Sequence, residues 1–144
     1  MVGAEVFKNK FSSGFAKIEN GELQGLKVLL VDDSPDNRIL ISAYLNKTGA
    51  QVSTAEDGRK GVELAQGEAV DVVLMDIQMP LMDGHEAMKT LRASGFSRPI
   101  VALTAHAMKE ERERCFESGC TDYLTKPISK KQLIEVLSRH LPRH

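Results

Sequence analysis

The sequence predicts an α/β fold, a single doubly wound parallel sheet flanked by helices, on three observations. From Lys27 onward five short apolar runs alternate with longer segments of helical period. The first, third and fourth runs are near-continuous Val, Ile and Leu, the pattern of strands buried on both faces. The chain has 144 residues, 42% hydrophobic and 27% charged, enough to bury one core without disulfide or metal staples.

The elements follow in order. Val28–Val31 is the first strand. Ser34-Pro35 then supplies an N-cap with proline at the first helical position, and Ile41, Leu45 and Thr48 fall at helical spacing before Gly49. Gln51–Ala55 and Val72–Met75 are the second and third strands, the latter followed by a helix that His85 opens, with its ring expected to face solvent. Pro99–Leu103 is the fourth strand, and a helix from near Ala107 is expected to stop at Gly119. Asp122–Leu124 is the fifth, and Ser129 with Gln132 forms a capping-box pattern ahead of Leu133, Ile134, Leu137 and Leu141. Residues 26–142 are therefore read as one domain and residues 1–25 as a linker or tail. In that tail Phe7, Phe11, Phe15 and Ile18 would form one helical stripe, but Ser12, Ser13 and Gly14 interrupt it, and Asn20-Gly21 and Gly25 are turn signals.

Composition excludes several classes. Lys and Arg number 19 against 20 Asp and Glu, a formal charge of −1, so no basic field points to nucleic acid or anionic lipid. No apolar run reaches the roughly 18 residues a spanning helix needs, and no secretory signal opens the chain, so a cytoplasmic domain without membrane contact is expected. Cys115 and Cys120 make no CxxC pattern and read as buried thiols in a reducing compartment. His140 and His144 lie where they would complement a helix dipole, and the run Lys109–Arg114 reads as a solvated helix face that could also serve recognition.

In an open parallel sheet, function gathers beyond the carboxyl ends of the strands. Asp32 and Asp33 follow the first strand, Asp76 the third, Thr104 the fourth, and Thr125 and Lys126 the fifth. Each alone could be a turn or cap residue; together they place three carboxylates, a hydroxyl and an ammonium at one edge. Each close carboxylate pair repels by about 4 kcal/mol at an effective dielectric near 20. A hard divalent ion with oxygen ligands, Mg²⁺, relieves this better than one lysine, and no Cys or His stands at these strand ends to favour a softer metal. Metal, hydroxyl and ammonium beside a carboxylate are the apparatus of phosphoryl transfer, with Asp76 on the central strand as nucleophile.

The segments KVLLVDDSPDNR, VVLMDIQMPLMDG, IVALTAHAM and DYLTKPI resemble the receiver domain of two-component response regulators over about residues 26–142. The resemblance implies a flavodoxin-like sheet of strand order 2-1-3-4-5 and a cis peptide before Pro127. It implies Asp76 as phosphoacceptor, with Mg²⁺ held by Asp32, Asp33, Asp76 and the backbone carbonyl of Gln78. Thr104 resembles the switch hydroxyl, Lys126 the lysine that pairs with the phosphoryl group, and Tyr123 the switch aromatic. Gln78 and His106 stand where such domains tune dephosphorylation rate. The implied partners are a histidine kinase phospho-His domain or a histidine phosphotransfer protein, and the face of the fourth helix, fifth strand and fifth helix is the implied partner or dimer surface.

The wording of MDIQMPLMDG and LTAHAM is most similar to receivers of hybrid sensor histidine kinases, whose parent chains can be membrane-anchored; a free-standing single-domain regulator is the alternative. No ATP-binding glycine box or output module is expected, so the chain would catalyse only its own aspartyl phosphorylation and dephosphorylation. A haloacid-dehalogenase-type phosphatase would carry D-x-D where Asp32 and Asp33 are adjacent. A phosphorylation-independent adaptor would have lost the acceptor, the lysine or the acidic pair, and flavin phosphate would meet acids where it needs donors.

Overall fold

The computed structural model describes residues 21–141. Five strands alternate with five helices: β1 Lys27–Val31, α1 Pro35–Lys47, β2 Gln51–Ala55, α2 Gly58–Gly67, β3 Val72–Asp76, α3 Gly84–Ala93, β4 Ile100–Thr104, α4 Lys109–Ser118, β5 Asp122–Thr125 and α5 Lys130–Ser138. All neighbouring strands are parallel, in the order β2-β1-β3-β4-β5. The predicted doubly wound sheet and its order are therefore observed.

Side chains alternate across a strand, so a sheet covered on both faces makes two cores. Leu29, Val31, Val73, Met75, Ile100 and Ala102 pack under Val62 and Ala65 of α2, Ala87, Met88 and Leu91 of α3 and Cys115 of α4. Val28, Leu30, Val72, Leu74, Val101 and Leu103 pack under Ile41 and Leu45 of α1 and Leu133, Val136 and Leu137 of α5. The β3 and β4 strands are buried at every residue, whereas β2, at the sheet edge, is buried only at Ala55.

Helix starts are written locally. The Ser34, Asp57, Asp83 and Ser129 side chains accept from the backbone N–H three residues on, each such cap contributing about 1 kcal/mol. The α4 helix has no side-chain cap and begins at Lys109, two residues after the expected start. It ends as expected at Gly119, whose φ of 119° only glycine tolerates well; Cys120 N–H there donates to Cys115 C=O at 3.1 Å.

The packed body reaches further back than the tail boundary drawn from the sequence. Leu23 and Leu26 are fully buried with the α1–α5 core, Leu23 N–H donates to Thr48 C=O at 3.0 Å, and Gly25 N–H to Gly49 C=O at 3.3 Å. The turn signals around Leu23 mark a folded turn rather than a linker, with Gly25 at a φ of 82°. The Phe7–Phe11–Phe15–Ile18 stripe and His144 lie outside the described residues. Leu141 follows α5, which ends at Ser138, and stays partly exposed.

Replacing Leu23 with alanine is expected to lower unfolding free energy by about 2–4 kcal/mol in urea titration. A chain beginning at Leu26 should melt below one beginning at Gly21. Equal midpoints for these two chains would remove Leu23 from the core.

Candidate functional site

Parallel register brings the carboxyl ends of β1, β3, β4 and β5 to one edge. Asp32 follows β1, Asp76 and Thr104 end β3 and β4, and Lys126 follows β5. One carboxylate oxygen from each of Asp32, Asp33 and Asp76 lies within 4.8 Å of the others. Asp32 and Asp76 are buried while Asp33 is exposed, so the cluster opens to solvent on the Asp33 side. Lys126 Nζ lies 3.1 Å from Asp76 Oδ1 and 3.7 Å from Asp32 Oδ2, and its peptide bond to Pro127 is cis.

Backbone and helix α1 aim these groups. Ser34 N–H donates to Asp32 Oδ1 at 2.9 Å, and Asn37 Nδ2 lies 3.4 Å from Oδ2. Arg38 Nη1 donates to the Asp32 carbonyl at 2.6 Å. Asn37 and Arg38 escaped the sequence reading. Their signal was position, since residues in the first turn of a helix launched just beyond Asp32 lie over it. Gly84 is also required: a Cβ there would collide with the Asp76 carbonyl, which lets α3 start against the end of β3. The bonds reaching the Asp76 carboxylate, from Lys126 Nζ and from Gln78 N–H at 3.2 Å, both end on Oδ1.

At Asp76, burial together with a neighbouring carboxylate outweighs the one lysine. Burial, then the neighbouring Asp32, push Asp76 up to about 6 from the ordinary 3.8, against the opposing pull of Lys126 and Gln78 N–H. The groups present, two buried carboxylates and one exposed, all oxygen donors, fit a hard divalent cation.

Thr104 and Tyr123 lie on adjacent strands, both engaged locally. Thr104 Oγ1 accepts from His106 N–H at 3.1 Å and donates to His106 C=O at 3.2 Å. The Tyr123 hydroxyl accepts from Arg112 Nη1 at 3.1 Å, and its ring meets Phe116 edge-on at 6.2 Å between centroids. The Lys109–Arg114 face is thus not merely solvated, since Arg112 holds Tyr123 and Glu111 reaches His85.

His85 departs from expectation. Its ring is 3% exposed instead of facing solvent, because α3 turns it into the α3–α4 seam against Ser118 and Glu111. Cys115 and Cys120 are buried thiols as expected, each pushed up chiefly by burial, Cys120 to about 12. A surface cleft lined by Lys27, Val70, Asp71, Phe96 and Arg98 lies at the opposite edge of the sheet and includes none of the site carboxylates.

A fold of this order with an acidic cluster at its carboxyl edge defines a class, and comparison with known proteins identifies it. The family model for the response regulator receiver domain matches residues 28–138. This chain belongs to the response regulator receiver domain family. Sensor protein GacS of Pseudomonas syringae pv. syringae is 49% identical over 116 residues, which are 77% of this chain and 13% of that protein. The chain thus spans about an eighth of the curated relatives it matches. The receiver domain of sensor histidine kinase PA1611 from Pseudomonas aeruginosa PAO1, crystallised with magnesium in its active site cleft, superposes with a TM-score of 0.75 at 38% identity, covering 81% of this chain and 97% of that one. A co-crystal of the Saccharomyces cerevisiae phosphotransfer protein Ypd1 with the Ssk1 receiver matches with a TM-score of 0.76 at 28% identity, covering 82% and 90%.

The Asp76 shift sets a pH dependence. The folded chain holds this proton to about pH 6 and the unfolded chain only to about 3.8, so the associated stability is complete below about 3.8 and lost as pH rises through 6. In metal-free buffer Asp76→Asn should therefore be more stable than wild type by about 1–3 kcal/mol near pH 7.5, a gain that fades towards about pH 4. Chemical denaturation across that range measures it.

Proposed function

We propose that this receiver takes a phosphoryl group from a phosphohistidine onto Asp76, with Mg²⁺ held by Asp32, Asp33, Asp76 and the backbone carbonyl of Gln78. The observation that carries the reading is the convergence of Asp32, Asp33 and Asp76 within 4.8 Å, with Lys126 Nζ 3.1 Å from Asp76. When bound, Mg²⁺ supplies positive charge to the phosphoryl oxygens and offsets the crowding of carboxylates.

The remaining steps belong to the chain's own residues. Lys126 and Gln78 N–H hold Asp76 through Oδ1, which leaves Oδ2 to attack phosphorus. The P–N bond breaks, and its electron pair returns to the donor imidazole nitrogen, which takes a proton from solvent. Lys126 then transfers its donors from carboxylate to phosphoryl oxygen. Thr104 exchanges its bonds with His106 for one to the phosphoryl group, and Tyr123 leaves Arg112 to fill the space vacated. Thr104 exchanges part-buried bonds for a new one and Tyr123 gives up an exposed one, so the phosphoryl group shifts a population between two arrangements.

The PA1611 receiver with its magnesium supports the metal, and the Ypd1–Ssk1 complex supports a histidine phosphotransfer protein as partner. Kinase relatives several times longer than this chain support a receiver that works within a hybrid sensor histidine kinase. The α4–β5–α5 face, with Phe116 exposed beside Tyr123, suits output or pairing of two receivers.

Intact mass after incubation with Mg²⁺ and a small-molecule phosphodonor tests the acceptor. Wild type should gain one phosphoryl group, and Asp76→Asn none. Lys126→Met should cut the initial rate by about 10²-fold or more while the chain stays folded. Sustained turnover of a phosphomonoester, lost in Asp32→Asn, would instead make the protein a phosphatase.

A further inference from the structure

The α3–α4 seam carries a second cluster that phosphoryl transfer does not use. His85 is buried there between Ser118 and Glu111, with Cys115 beside it, and one ligand atom each of His85, Glu111 and Cys115 lies within 4.8 Å of the others. The hydrogen bonds assign the imidazole protons. Ser118 Oγ lies 2.9 Å from the Arg114 carbonyl, an acceptor only, so the hydroxyl proton points there. Ser118 Oγ must then accept from His85 Nδ1 at 2.8 Å, which puts a proton on Nδ1.

In a neutral imidazole that leaves a lone pair on Nε2, facing the Glu111 carboxylate at 3.4 Å. A lone pair set against a carboxylate is repulsive unless a positive charge lies between them. A proton would do, but the separation is long for a charge-assisted hydrogen bond, ordinarily about 2.7–2.9 Å. It is close to the edge of a tetrahedron whose nitrogen and oxygen corners stand about 2.0–2.1 Å from a central metal, roughly 3.3 Å.

We propose that His85 Nε2, the Glu111 carboxylate and Cys115 Sγ form a site for a borderline-soft divalent cation of the Zn²⁺ type. The donor set of one imidazole, one carboxylate and one thiolate suits that ion and does not suit Mg²⁺, which separates this site chemically from the all-oxygen cluster at Asp76. Ser118 supplies the outer support such a site needs: it fixes the tautomer of His85 and is itself anchored to Arg114. Glu111, 27% exposed, is the opening to solvent, where a water completes four ligands. Forming the metal–sulfur bond releases the Cys115 thiol proton to solvent. The bound ion would tie α4 to α3, whose first residue, Gly84, abuts Asp76.

Co²⁺ added to the full 144-residue chain, reduced and freed of metal, tests this. The expected result is a near-ultraviolet thiolate-to-cobalt charge-transfer band with intense tetrahedral visible bands, saturating at one equivalent and displaced by Zn²⁺. The band should disappear in His85→Phe and Cys115→Ser and persist in Asp76→Asn. Glu111→Gln, at a partly exposed position, should weaken Co²⁺ affinity about tenfold or more without changing the melting of the metal-free chain. Only weak octahedral bands, lost in Asp76→Asn, would overturn the proposal and leave an imidazolium–Glu111 ion pair in the seam. A charge-transfer band indifferent to His85→Phe and Glu111→Gln would overturn it too, assigning the metal to the Cys115–Cys120 thiols.

Discussion

Two carboxylates with almost no solvent exposure, Asp32 and Asp76, face each other at the ends of adjacent parallel strands, and a single ammonium reaches both. That crowding governs the molecule's carboxyl edge. The β1 strand ends in a turn whose amide and Asn37 side chain support Asp32, and α3 starts at a glycine because no Cβ fits beside Asp76. Burial strengthens the interactions between these charges because little water screens them. The same burial pushes Asp76 up against the opposing pull of Lys126.

Helices on the two faces of the sheet bear differently on this edge. The α1 and α5 helices pack their Leu and Ile residues onto one face, and α1 sends Asn37 and Arg38 back to Asp32. On the other face α3 and α4 meet through His85, Ser118 and Glu111, and α4 reaches β5 through Arg112 and Tyr123. Arg92 closes the far end of that face, donating to the carbonyls of Gly119, Phe96 and Arg98. The face that holds Tyr123 thus adds polar bonds to an apolar core of its own, the His85–Ser118 bond buried and the Arg112–Tyr123 bond exposed, while the α1–α5 face is held mainly by apolar burial. The Arg112–Tyr123 bond, at the exposed rim of that face, can exchange partners with water at small cost.

The site is spread over four strand ends, and no single loop contains it. Its geometry depends on register, such as Met75 opposite Ala102 and Thr104 opposite Thr125, and register is held by the continuous burial of β3 and β4. A slip of one residue would exchange the faces of every side chain on a strand and scatter the carboxylates.

The amino-acid sequence by itself determined the five strands, several of the helix ends and the set of polar residues at the carboxyl edge. These are written within a few residues: apolar runs for buried strands, Ser34 and Ser129 for caps, Gly119 for a stop, and Asp76 or Lys126 directly after a strand. Strand order was legible only through resemblance, because alternation of strands and helices specifies parallel pairing but not which strand neighbours which. Tertiary structure alone decided that Leu23 belongs to the core, that Arg112 holds Tyr123, and that His85 turns inward. The partners of His85 stand 26 and 33 residues further along, on a helix whose own pattern is polar. Periodicity and capping report forces between near neighbours in the chain, whereas a polar side chain is buried or exposed according to what packing brings against it from afar.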